Sequence, residues 1–142
     1  MESRWETQVR FFVDTSAWIA FFNGDDEFNS DAVRFLKDEK ELVTSNIVLH
    51  ECAAHLENRI SKRIAELFIK KILAEKICGV IYLTSEQERK TLKKYSTVPR
   101  KISFVDCSNF VVMKDIRIKE IFAFDSYFEK LGLKVVPKIK ES

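Results

Sequence analysis

Short apolar runs that recur between helical stripes constrain this chain more than any other feature of its sequence. Phe11-Phe12-Val13 after Arg10, Glu41-Leu42-Val43-Thr44, Val80-Ile81-Tyr82-Leu83, Glu120 to Phe124 and Lys134 to Val136 each read as a short buried strand. Between them, apolar residues return every three or four positions. This predicts helices over Thr15 to Asn23, Asn29 to Glu39, Ser45 or Asn46 to about Arg59, and Lys62 to about Ile77. Thr84 or Ser85 with Glu88 has the capping-box pattern for a short basic helix, and Gly132 is placed to stop a last one. Strands that alternate with helices predict an α/β domain with a mainly parallel sheet, because parallel neighbours need crossover connections.

Composition removes several classes of function. Gly24, Gly79 and Gly132 lie too far apart to build a nucleotide-binding glycine loop. Cys52, Cys78 and Cys107 have no CxxC spacing, so reduced thiols are expected rather than a disulfide framework or a zinc cluster. His50 and His55 are five apart, form no HExxH, and are expected to be solvated or satisfied in the core. No apolar run approaches the roughly 20 residues of a bilayer span, and the start has no secretory pattern. The expectation is one soluble, cytoplasmic domain over the 142 residues, with its core at about 11–136. The net charge of +2 is too small to argue for nucleic acid by itself.

Four acids stand apart from the charge-rich surface runs. Asp14 closes Phe11-Phe12-Val13, Asp125 closes Ile121-Phe122-Ala123-Phe124, and Asp106 follows Phe104-Val105 and opens an apolar helix. Each is also a reasonable helix N-cap. Glu51 has no capping role, and its helical neighbours Ile47, Val48, Ala54 and His55 predict a mostly apolar surround. A structural ion pair and a functional role are equally open for it. Ligands of parallel α/β sheets collect at the carboxyl ends of the strands. Carboxylates gathered there repel one another unless a cation neutralises them, and an all-oxygen donor set suits Mg²⁺ or Mn²⁺.

These residues also carry a family resemblance. Val13-Asp14-Thr15-Ser16-Ala17-Trp18-Ile19-Ala20 resembles the opening motif of PIN-domain ribonucleases, in particular the VapC-type toxins of toxin–antitoxin modules. Thr44 to Glu51 is similar to their second motif, Ser103 to Met113 to the third, and Ile121 to Phe128 to the fourth. The resemblance implies a three-layer α/β/α domain and endonucleolytic cleavage of RNA by a water activated by Mg²⁺ or Mn²⁺. It implies Asp14 and Asp106 as the most direct metal ligands, Glu51 and Asp125 completing the site, and Thr15, Ser16 and Ser108 as supporting hydrogen-bonding groups. Some relatives carry a further acid or amide where this chain has Tyr127, which weakens the case for a second metal.

Between Thr84 and Val105, six basic residues face two acidic ones, an excess of four. Lys93, Lys94, Arg100 and Lys101 are the candidates there for holding RNA phosphates, and Tyr95 for stacking on a base. The resemblance further implies an antitoxin partner covering the acidic groove and a homodimer built on the helices after Asn46. Alternative readings are an RNA-processing nuclease of the same fold, a PIN-like module that binds RNA or protein without cutting, and a receiver-like signalling domain. The last is disfavoured because Asp14 has no adjacent acid and Leu83 leads into Thr84.

Overall fold

In the computed structural model, residues 10–37 and 41–138 are described. Strand β1 (Arg10–Val13) runs into α1 (Thr15–Phe22) and α2 (Asn29–Leu36), and β2 (Glu41–Ser45) into α3 (Asn46–Arg59) and α4 (Lys62–Leu73). Then come β3 (Gly79–Ile81), α5 (Ser85–Tyr95), α6 (Phe104–Asp115), β4 (Glu120–Phe122), a 3₁₀ helix (Ser126–Leu131) and β5 (Lys134–Val136). All pairings are parallel, in the order β3-β2-β1-β4-β5. The helices layer on this sheet, giving the three-layer α/β/α PIN-like arrangement. The predicted segment Asp38 to Glu39 lies outside the described residues.

The strand order decides where a site can form. β1 has β2 on one side and β4 on the other, so the chain reverses its direction of travel across the sheet beside β1. The crevice outside the carboxyl ends of β1 and β4 is a topological switch point, the usual ligand position of open parallel sheets. The register pairs Val13 with Phe122, and both strands end there.

The core is built from Phe12, Val13, Trp18, Val48, Leu56, Phe68, Ile72, Ile121 and Phe122, all fully buried. Trp18 is its largest member and packs edge-on against Phe68 with ring centroids 6.1 Å apart. Its indole Nε1 donates to Thr44 Oγ1 at 3.3 Å, and that hydroxyl donates to the Val13 carbonyl at 2.9 Å. α1, β2 and the end of β1 are thus fastened one residue before Asp14. Burying a side chain of this size contributes roughly 1.5–3 kcal/mol, which holds the end of β1 in a rigid setting.

Several helix boundaries differ from expectation for local reasons. α4 stops at Leu73 rather than near Ile77, because Glu75 takes a left-handed conformation with φ 52°. Thr84 caps α5, but its capping-box partner is Gln87 rather than Glu88. Ser45 is the cap of α3, and Gly132 stops the 3₁₀ helix at φ 81°.

Candidate active site

Asp14 is the first residue beyond β1. Its backbone N–H donates to the Phe122 carbonyl at 3.0 Å, carrying the β1–β4 ladder one residue past the strand. Its carboxylate caps α1: Oδ2 accepts from the Ser16 N–H at 3.3 Å and from the Ser16 hydroxyl at 2.9 Å. Oδ1 accepts from Asn109 Nδ2 at 2.9 Å. The residue is 3% exposed. Burial pushes its carboxyl up from 3.8 to about 7; the Ser16 hydroxyl opposes that rise and the nearby charge of Asp106 adds to it.

Asp106 arrives from the opposite layer. The cap of α6 is Ser103, and Asp106 is the third helical residue, so the expectation that Asp106 itself caps this helix is corrected. The two close a capping box, with the Ser103 N–H donating to Asp106 Oδ2 at 2.9 Å and the Asp106 N–H to Ser103 Oγ at 3.1 Å. Asp106 is 5% exposed. Burial raises its pKa, the Ser103 hydrogen bonds lower it, and the charges of Glu51 and Asp125 raise it again.

Glu51 lies on α3 and is exposed, not set among apolar neighbours as its sequence context predicts. The buried stripe of α3 is Val48, Leu49, Cys52 and Leu56, and Glu51 flanks it. Buried Cys52 feels both acids: burial is the main cause of its raised thiol pKa, and the charges of Asp14 and Glu51 add to it. Asp125 stands before the 3₁₀ helix and makes no side-chain cap bond among the described residues. It is half-buried, and its Oδ2 accepts from the Tyr127 hydroxyl at 3.2 Å. The Tyr127 pKa is raised by burial first, then by Asp106, Asp125 and Asp14. The four sequence-predicted acids therefore share one electrostatic neighbourhood at the β1/β4 crevice.

The supporting groups divide. Ser16 is a bridge: its hydroxyl donates to Asp14 and accepts from the Phe124 N–H at 3.1 Å, tying the ends of β1 and β4 together. Thr15 is buried and its Oγ1 has no partner among the described residues. The Ser108 hydroxyl donates back to the Val105 carbonyl at 2.6 Å, inside its own helix. Asn109 is the residue that sequence reasoning missed. It is fully buried, and its Oδ1 is likewise without a partner among the described residues. The available signal was an amide one turn after Asp106 in an apolar helix.

The sequence matches the PIN domain family over residues 11–134. The chain belongs to the PIN-domain family. Within it, the 23S rRNA-specific endonuclease VapC20 of Mycobacterium tuberculosis is 33% identical over 125 residues, covering 85% of this chain and 93% of that protein. A VapC ribonuclease of Aquifex aeolicus is 28% identical over 137 residues, covering 92% and 98%. The crystal structure of Mycobacterium tuberculosis VapC20, described as a toxin that cleaves the sarcin–ricin loop, superposes with a TM-score of 0.81 at 31% identity. It covers 87% of this chain and 95% of that one. This PIN domain is thus of the VapC type.

A divalent cation fits the residues present. The donors are carboxylate oxygens, and among the described residues no ion pair reaches Asp14, Glu51, Asp106 or Asp125. Among the described residues no three acidic, histidine or cysteine side chains close into a tight coordination shell. An open, partly hydrated set is what Mg²⁺ tolerates, since it keeps several of its waters. Asn109 Oδ1, without a partner among the described residues and on the amide that donates to Asp14, leaves hydrogen-bonding capacity beside that carboxylate for such waters.

Proposed function

We propose that this chain is a Mg²⁺- or Mn²⁺-dependent endoribonuclease and the toxin of a toxin–antitoxin pair. The observation that carries the reading is the pair Asp14 and Asp106, two buried carboxylates within each other's field at the switch-point crevice. Buried acids so placed are costly unless protonated or neutralised by a cation. In this reading Asp14 and Asp106 hold the ion directly, and Glu51 and Asp125 complete its surroundings. When bound, the ion supplies an acidified water and charge stabilisation at the phosphoryl oxygens. Exposed Glu51 is the freer proton acceptor, because one Asp125 oxygen is already engaged by Tyr127. Ser16 and Asn109 hold the Asp14 carboxylate in place.

The VapC names of relatives matched over 93% and 98% of their length support the toxin role. They also make a ribosomal RNA hairpin the first substrate to test. Lys93, Lys94, Arg100 and Lys101 supply positive charge for RNA. The exposed Leu67 and Leu73 on α4 and the adjacent Ile60 support a second copy docking on the helices after Asn46. The antitoxin would cover the acidic crevice. Three free, buried thiols suit a reducing cytoplasm.

The deciding experiment is cleavage of a labelled hairpin RNA by purified protein with Mn²⁺ or Mg²⁺, beside EDTA and a folded Asp14→Asn variant. Cutting that both controls abolish supports the reading. Cutting that survives both sinks it, and RNA binding without cutting would favour the non-cleaving module.

A further inference from the structure

Helices α5 and α6 pack side by side and leave an open groove of about 410 Å³ between them. Its walls carry Lys93 and Lys94 from α5 and Lys114 from α6, over a floor of Phe110 and Val111. At one end Lys90 is neutralised, lying 3.7 Å from Glu86 and 3.6 Å from Asp115, and Gln87 Nε2 donates to Asp115 Oδ2 at 3.1 Å. That end is closed by the protein's own pairs. Lys93, Lys94 and Lys114 differ, since none of them makes an ion pair among the described residues. Lys94 Nζ stands 4.4 Å from the centre of the Phe110 ring. A ring face holds an ammonium in place without neutralising it, so this cation remains available to an anion.

The groove adjoins the acidic site through α6. Phe110 follows Asp106 by four residues, one turn along the same face and a rise of about 6 Å. Uncompensated cations over an aromatic and aliphatic floor match an alternation of phosphates with flat bases. The same helix leads that track to the carboxylates.

We propose that the α5–α6 groove is the subsite for the RNA strand adjoining the scissile phosphate. Lys93, Lys94 and Lys114 take its phosphates, and Phe110 and Val111 take a base or sugar face. The inference rests on the ribonuclease reading and refines it. It adds Lys114 and Phe110 from α6, and it leaves Arg100 and Lys101, exposed outside this groove, without a part in it.

The test separates binding from cutting. Anisotropy of a labelled single-stranded oligoribonucleotide is measured in EDTA across a salt series, with the full chain and with Lys93→Gln, Lys94→Gln and Lys114→Gln. Lys62→Gln and Lys71→Gln on α4 remove the same charge elsewhere. Each groove substitution is expected to reduce the slope of log K against log salt by about 0.7, with the controls unchanged. Phe110→Leu, which keeps the floor apolar, should weaken binding about tenfold at every salt without changing the slope. Groove variants that behave like the controls, or a wild type that cuts RNA without binding the probe, overturn the groove proposal and leave the nuclease reading standing. Groove-dependent binding with no cleavage of any RNA overturns the nuclease reading and, with it, the groove's place beside a scissile phosphate. An acidic peptide displacing nothing while RNA binds supports RNA as the occupant; the reverse overturns it.

Discussion

The Asn109 carboxamide donates to Asp14 Oδ1 at 2.9 Å across 95 residues of sequence, and the bond is buried. It joins the first residue beyond β1 to the third residue after Asp106, so both layers of the site are locked by one contact. Asn109→Ala removes the donor and leaves Asp14 Oδ1 bare. The variant is expected to lose about 1–3 kcal/mol of stability, read by denaturant titration. Mn²⁺ affinity should fall about 10- to 100-fold, the usual effect of removing a group that orients a ligand. Calorimetric Mn²⁺ titration checks it; unchanged affinity would reduce Asn109 to a packing residue.

A pH dependence follows from Asp14. Its folded carboxyl titrates at about 7, above the ordinary 3.8, so the folded chain holds the proton more tightly than the unfolded one. The resulting stabilisation is complete below about pH 4 and is lost as pH rises through about 7. Without divalent ions, stability from this group should decline over that window by at most on the order of 4 kcal/mol. Melting curves in EDTA at several pH values test this, and Asp14→Asn should flatten the trend. Divalent binding must displace that proton, so Mn²⁺ affinity should weaken about tenfold per pH unit below about 7.

Ser16 is expected to matter for stability as well as for the site. Its hydroxyl donates to Asp14 at 2.9 Å and accepts from the Phe124 N–H at 3.1 Å. Ser16→Ala leaves a part-buried N–H and a carboxylate each short of a partner, a cost of about 1–3 kcal/mol. Ser108→Ala, which removes only a bond within α6, should cost less than Ser16→Ala in the same unfolding assay.

Much of this site is written locally in the sequence, and what is not depends on packing. Asp14 is legible because an apolar strand that ends on an acid can put it only at the strand's carboxyl end. Asp106 is legible at the helix start but reads there as its cap; the three-residue spacing from Ser103 is the local signal that puts it inside the first turn instead. The exposure of Glu51 runs against its sequence context: apolar Ile47, Val48 and Ala54 nearby suggest burial, but the buried stripe runs through Val48, Cys52 and Leu56, and residue 51 falls beside it. Asn109 and Lys114 were not legible. Their importance requires α6 to cross Asp14 and α5 in space, and no short-range pattern encodes either crossing.

Tyr127 bears on how many ions the site takes. Its hydroxyl donates to Asp125 Oδ2 at 3.2 Å, and burial together with three nearby carboxylates keeps it protonated throughout the working pH range. It therefore contributes a neutral donor, not an anionic ligand, and occupies one oxygen of Asp125. On the metal reading, calorimetry should find one Mn²⁺ per chain; two ions bound with comparable affinity would refute this. Tyr127→Phe keeps the ring contact with Phe128, at 5.1 Å, so stability should fall by no more than about 1 kcal/mol. Asp125 is then free to turn. If its role is to orient the attacking water, kcat should drop about tenfold while KM for RNA stays unchanged, because the groove that holds the strand is untouched.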